Sequence, residues 1–190
     1  MDNLELKRVK EKMCLSMLSK ILTLQQVNVA LGGIATQSSL YTNNHYALFA
    51  IDGNRASNLK ISSLTHTSGQ NSPWWRVDLL AVYDISNVII TNRGDCCPER
   101  INGAEIHIGN SLINNRNNNP RCIVIPSMPA GASVNYTCHM QGHHVNVIIP
   151  NVIQILPLCE VEVYGVADQI YQYPVIKISG LLDKGTGTGN

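Results

Sequence analysis

Short runs of β-branched residues, interrupted every few positions by Gly, Asn, Ser or Pro clusters, leave this chain few ways to fold. From Val27 onward they include Val82 to Thr91, Ala104 to Ile108, Ile123 to Ile125 and Val145 to Ile149. Branched side chains pack well on a pleated surface, and the intervening residues supply the turns between strands. No amphipathic helix pattern longer than two turns persists here. Many short strands at regular turn spacing predict an all-β sandwich or barrel. A chain of 190 residues, 44% of them hydrophobic, is long enough for one domain with a sizeable core. In Pro73-Trp74-Trp75-Arg76-Val77-Asp78-Leu79, the residues Trp74, Trp75, Val77 and Leu79 read as core and sheet positions, not as ligand stackers.

Both ends differ from this pattern. Residues 1–26 are charged from Glu5 to Lys12 and then apolar, with Glu11 and Lys20 intruding, which reads as a degenerate signal peptide. An amphipathic helix carrying Leu15, Leu18 and Leu22 is the alternative. Residues 166–190, closing in Lys184-Gly185-Thr186-Gly187-Thr188-Gly189-Asn190, read as a tail. A formal net charge of +1 gives no basic field of the kind nucleic-acid-binding surfaces carry. No run of eighteen apolar residues suggests a membrane span. Six cysteines, two adjacent and none in a C-x-x-C pair, suit an oxidising compartment better than a metal site, so the expected location is extracellular.

The densest chemistry lies in Thr91-Asn92-Arg93-Gly94-Asp95-Cys96-Cys97-Pro98-Glu99-Arg100, a loop following the run Val88 to Thr91. Neighbouring Cα atoms sit about 3.8 Å apart across a trans peptide, below the usual disulfide separation, so a Cys96–Cys97 bond is strained and reducible. Closed into a ring, the pair makes a flat, polarizable platform for an apolar ligand face. Arg93 and Arg100 offer forked, permanently charged donors, with Asp95 and Glu99 placed to hold them. The residues alone leave open a pairing with distant cysteines or a catalytic redox pair. Arg93-Gly94-Asp95 also spells an integrin-type tripeptide, a short motif that recurs freely. No Ser-His-Asp or Cys-His constellation stands out. Because Asp95 and Glu99 have arginines beside them in the loop, they make a poor start for glycoside hydrolysis, and a chain without enzymatic activity is expected. Upstream, His66 can donate one ring N–H to a hydroxyl while the other nitrogen is held by a neighbour. Asp52-Gly53-Asn54-Arg55 reads equally as a tight turn and as part of a calcium loop, since calcium wants about six to eight oxygens.

These segments together resemble a known family. Asn92-Arg93-Gly94-Asp95-Cys96-Cys97 with Glu99-Arg100, His66 in Thr65-His66-Thr67-Ser68-Gly69-Gln70, and the Trp74-Trp75 segment between them are similar to the fucolectins, the F-type fucose-binding lectins of eels and other fishes. The similarity runs from about Asn28 to Gly165, which divides the chain into 1–26, a lectin domain at 27–165 and 166–190. The resemblance implies a jelly-roll, discoidin-like β-sandwich of eight main strands with its binding loops at one end. It implies a sugar site in which His66, Arg93 and Arg100 grip α-L-fucose, Asp95 supports them and Cys96-Cys97 is the platform. It implies one structural Ca2+ held by side chains of Asp52, Asn54, Ser63 and Glu160 with the carbonyls of Phe49 and Cys159, and a Cys122–Cys138 disulfide. Fucosylated glycans as partners, secretion, a homotrimeric assembly and a part in innate immune recognition follow from the same source. An adhesion module acting through Arg93-Gly94-Asp95, or a non-binding paralogue, is the alternative. Two departures stand out: Leu59-Lys60 replace an aromatic pair that would meet the fucose methyl group, and Leu64 stands where the family has a cysteine bridged to the Cys159 position. Cys159 is therefore expected to be a free, buried thiol. Asn135-Tyr136-Thr137 is a glycosylation sequon.

Overall fold

The computed structural model describes residues 5–8, 10–14, 26–58 and 64–167. Among these, eleven strand segments follow in order: β1 (Val27–Asn28), β2 (Ile34–Gln37), β3 (Thr65–His66), β4 (Gln70–Asn71), β5 (Trp74–Thr91), β6 (Glu105–Gly109), β7 (Arg121–Val124), β8 (Ser133–Ile148), β9 (Ile153–Gln154), β10 (Pro157–Leu158) and β11 (Glu160–Ala167). Short 3-10 turns at Val29–Gly32, Ala47–Ile51, Pro98–Ile101 and Ile113–Arg116 connect them.

Two long strands carry the architecture. The first part of β5, Trp74 to Asp78, lies between β2 and the last part of β8, which in turn pairs with β6 and, beyond it, β7. The second part of β5, Tyr83 to Thr91, lies between β11 and the first part of β8, with β1 on the outer edge of β11. All these pairings are antiparallel. Between the two parts, the β5–β8 ladder breaks from Asp78 to Tyr83, where Leu80 takes φ 65°. A bulge bends a strand and increases its local twist, so one pair of strands serves both layers of a β-sandwich. Alternation, reset by a second irregularity between Ile85 and Asn87, then aims Trp75, Val77, Ile85, Val88 and Ile90 of β5 into one core with Ile106, Ile108, Val145, Val147, Val161 and Val163. Trp75 is fully buried and donates its indole N–H to the Ala47 carbonyl at 2.9 Å. Removing a ring of its size from water is worth roughly 4–6 kcal/mol of transfer free energy. Trp74, by contrast, is half-buried, and the Arg76 guanidinium lies 4.6 Å from its ring centroid.

The four runs picked out by β-branching fall on β5, β6, β7 and β8. Sequence pattern understated β5, because Trp74 to Leu79 and Val82 to Thr91 are one 18-residue strand. The resemblance implies eight main strands; the eleven segments include the two-residue backbone ladders of β3 with β10 and β4 with β9, which have too little sequence to alternate. Strand β11 runs past Gly165, since Val166 and Ala167 still pair with Asp84 and Tyr83. Cys122 and Cys138 form a disulfide between β7 and β8. Residues 5–8 and 10–14 are helical and exposed. Leu15, Leu18 and Leu22, and the end of the chain from residue 168, lie outside the described residues. Among the described residues no helix is long and apolar enough to cross a membrane.

Candidate functional site

Strand β5 ends at Thr91, and the loop after it is stapled from within. Asn92 is fully buried; its side-chain amide donates to the carbonyls of Pro98 at 3.0 Å and Met128 at 3.2 Å, and its Oδ1 accepts the Arg93 N–H at 2.8 Å. Gly94 donates its N–H to the Ser57 carbonyl at 2.7 Å, and a Cβ added there would meet Ser57 Oγ at 2.5 Å. Only glycine fits so close an approach. Arg93, 7% exposed, donates from Nε and Nη2 to the two oxygens of Asp95 at 2.8 and 3.0 Å. That bidentate pair holds its pKa above the ordinary value. Cys96 and Cys97 are joined as a disulfide. Cys97 sits in the left-handed region at φ 55° and leads into the turn that Pro98 opens. This places Arg100 back beside the cysteines, and its N–H donates to the Cys97 carbonyl. The Arg100 side chain is half-buried and has no ion-pair partner among the described residues, and Glu99, expected to hold an arginine, pairs with neither. Asp95 alone fills that role, its side chain 17% exposed against the Arg93 guanidinium.

His66 reaches the same place from β3. It is buried, and both Arg93 and Arg100 act on its charge. Burial first, then the positive charges of His45, Arg93 and Arg100, lower its pKa to about 4, against a weaker opposing pull from the Thr67 carbonyl. The ring is therefore neutral at physiological pH. Its Nδ1 lies 2.9 Å from that carbonyl, which can only accept, so Nδ1 carries the proton. Nε2 is left with a lone pair. With Nδ1 protonated, the free Nε2 is an acceptor at neutral pH, where the sequence reading has a ring N–H free to donate. Two residues that sequence reasoning missed complete this wall. The exposed ring of Tyr41 lies 4.6 Å from the His66 ring, and the buried ring of His45 lies 5.4 Å from it, with Thr42 Oγ1 2.7 Å from His45 Nδ1. Gln37 ties the wall together by donating to the carbonyls of Ser39, His45 and His66. The visible signal was an aromatic and histidine cluster, Tyr41 to Tyr46, in an otherwise polar loop.

Directly behind the Asn92 loop lies the candidate cation site. Glu160, at the start of β11 and opposite Thr91, is fully buried; Oε1 accepts the Gly53 N–H at 3.0 Å, and Oε2 has no hydrogen-bond donor among the described residues. Burial, with Asp52 and Glu162 nearby, pushes its pKa up to about 7 despite the Gly53 hydrogen bond. A buried carboxylate oxygen without a donor, beside a second acid, fits a bound cation. Gly53 takes φ 82°, so the turn reading of Asp52 to Arg55 and the cation reading describe one geometry. Asp52 Oδ1 accepts the Asn54 N–H at 2.8 Å, and Asn54 Oδ1 accepts the Ala56 N–H at 3.0 Å. All the donors are hard oxygens of the kind calcium takes. Phe49 lies in the Ala47–Ile51 turn, and Cys159 precedes Glu160. Ser63, like Leu59 and Lys60, lies outside the described residues. Cys159 is a free, fully buried thiol whose pKa burial pushes up to about 12. Leu158 pairs with Thr65, which puts Cys159 and the buried Leu64 at the next step of that ladder.

The structure therefore brings His66, Arg93, Asp95, Cys96, Cys97 and Arg100 into one surface and places Asp52 and Glu160 beneath it. Within Arg93-Gly94-Asp95, Arg93 is buried and gives Nε and Nη2 to Asp95, and Gly94 lies against Ser57, so the tripeptide's two charges face each other.

A two-layered β-sandwich with its polar constellation on the loops at one end defines a carbohydrate-binding-type, discoidin-like module. The family described as NedA-like, galactose-binding domain matches residues 49–147. Among solved structures, the fucolectin from the serum of striped bass, Morone saxatilis, is 53% identical with a TM-score of 0.72, covering 75% of this chain; this chain spans 48% of that one. The lectin domain of lectinolysin, solved with Lewis B antigen, is 29% identical with a TM-score of 0.65 over 74% of this chain and 98% of that one. Fucolectin-4 of Anguilla japonica is 57% identical over 142 residues, 72% of this chain and 78% of the relative. The chain belongs to the fucolectin family.

Proposed function

We propose that this protein is a non-catalytic, secreted lectin that recognises terminal α-L-fucose on glycans. The observation that carries the reading is the convergence of a neutral His66, an Arg100 with no ion-pair partner among the described residues and the Asp95-braced Arg93 around the Cys96–Cys97 disulfide. A pyranose with vicinal hydroxyls needs donors for its oxygens, an acceptor for one hydroxyl proton and an apolar face to lie on. Here Arg100 and the remaining Arg93 N–H groups are the donors, His66 Nε2 is the acceptor, and the disulfide is the face. The fucolectins and the lectinolysin domain with its Lewis B antigen support that choice of sugar.

Calcium belongs to the same reading. Side chains of Asp52, Asn54, Ser63 and Glu160, with the carbonyls of Phe49 and Cys159, would hold one Ca2+, and the orphaned Glu160 oxygen supports this. Bound there, calcium would neutralise those acids and steady the segment whose Ser57 carbonyl anchors Gly94. Single-site sugar affinities are weak and gain from multivalency, so a homo-oligomer, such as the trimer the resemblance implies, suits a role in innate recognition of glycan-coated surfaces. A glycan array with the full chain, repeated with free L-fucose as competitor, tests the proposal. Fucose-terminated glycans should be retained and displaced by the competitor; indifference to fucose would refute it.

A further inference from the structure

We infer that Asp78, His143 and His144 form a second cation site, remote from the oxygen-lined calcium loop, that takes a nitrogen-preferring divalent metal of the zinc class. The three residues meet where the β5–β8 ladder breaks. Asp78 pairs with His144, so both lie on one face of the sheet, as side chains directly opposite do. His143 is the next residue and by simple alternation would point to the other face. It escapes that rule because it has no ladder partner: Tyr83 pairs with Gly142 and Asp78 with His144. The His143 N–H instead donates to Asn110 Oδ1 at 2.8 Å, which turns its ring onto the same side, with the two imidazole centroids 4.6 Å apart.

The donor atoms lie close enough to share one ion: one from each residue falls within 4.8 Å of the other two. His143 Nδ1 lies 3.0 Å from Asp78 Oδ1, His144 Nδ1 lies 3.8 Å from the other carboxylate oxygen, Oδ2, and the two Nδ1 atoms lie 3.4 Å apart. Ligands bound to zinc at about 2.0–2.1 Å in a tetrahedron stand about 3.3–3.4 Å from one another. Two imidazole nitrogens aimed at each other and at one carboxylate have a natural common partner in a cation. Two nitrogens with one carboxylate favour zinc and its neighbours over calcium or magnesium. Asp78 Oδ1 also accepts the Leu80 N–H at 2.9 Å, which orients the carboxylate. The fourth position opens into a cleft of about 400 Å³ lined by Val82, Asn110 and Leu112, so water or an exchangeable ligand completes the shell.

The test uses the full chain without an affinity tag, stripped with chelator and then returned to excess calcium. Zinc titration by calorimetry should show one tight equivalent, and Co2+ should give the intense visible absorption of a tetrahedral site. His143→Ala, at a half-buried position, should abolish that binding while leaving fucose binding unchanged. Asp78→Asn, which keeps an acceptor for the Leu80 N–H, should weaken it as well and covers the case in which the alanine variant misfolds. No zinc binding by the parent chain, or zinc binding that survives undiminished in both variants, overturns the assignment. Zinc that survives in both variants and competes with fucose would place the metal at His45 and His66 instead, which also overturns it.

Discussion

Arg100→Ala is the cleanest probe of the sugar site. Arg93 is a poor choice, because truncating a buried guanidinium that grips Asp95 through two hydrogen bonds removes that ion pair and costs stability as well as affinity. Arg100 is half-buried and has no ion-pair partner among the described residues, so its removal orphans nothing. Stability should change by no more than about 0.5 kcal/mol, as for ordinary surface substitutions. A charged donor to a bound hydroxyl is worth about 1.5–3 kcal/mol, which is roughly a 12- to 160-fold loss of affinity. Titration calorimetry with methyl α-L-fucoside, beside a thermal melt of each protein, separates the two effects. Unchanged affinity with an unchanged melt would show that Arg100 does not touch the sugar and would sink the site as drawn. Weakened binding with a large drop in melting temperature would mean that the side chain braces the loop and that the donor role is misassigned.

Chelating calcium should lower the melting temperature, since a metal held only by the folded state stabilises it by about 2.7 kcal/mol at a hundred-fold excess over its dissociation constant; Glu160→Gln should mimic chelation, and a melt indifferent to chelator would argue for a plain turn. Fucose binding should weaken with the same treatment, read by titration, because Gly94 is anchored on the Ser57 carbonyl of the calcium segment. His66 has a folded pKa of about 4 against an ordinary 6.5, so its acceptor lone pair survives acidification: affinity should hold from pH 8 to about 5 and fall only through about 4, whereas a midpoint near 6.5 would contradict the buried neutral ring. By the same shift, the unfolded chain takes up a proton that the folded chain refuses, so the His66 contribution to stability is present above about 6.5 and is lost as pH falls toward 4. Cys159, fully buried with a thiol pKa near 12, should resist maleimide in the native protein and react after denaturation without reductant, whereas exposed Cys14 reacts at once; peptide mapping that finds Cys159 in a disulfide would reverse this.

Period and turn chemistry, which are local properties, were enough to read an all-β sandwich or barrel from the runs Val82 to Thr91, Ala104 to Ile108, Ile123 to Ile125 and Val145 to Ile149, and the family resemblance chose the sandwich. The loop Asn92 to Arg100 was legible for the same reason, since its cysteines, arginines and Asp95 are neighbours in the chain. What the sequence could not determine is whatever depends on two distant segments meeting. Which acid holds Arg93 was decided by the course of the loop, which sets the Asp95 carboxylate against the guanidinium fork. The tautomer of His66 was decided by the Thr67 carbonyl, and its neutrality by the walls that Tyr41, His45 and the arginines build around it. Nothing in Val77-Asp78-Leu79 or Gly142-His143-His144 announces a shared site, because alternation sends adjacent histidines to opposite faces. Only the broken ladder between two long strands, a property of the folded pair, turns them together.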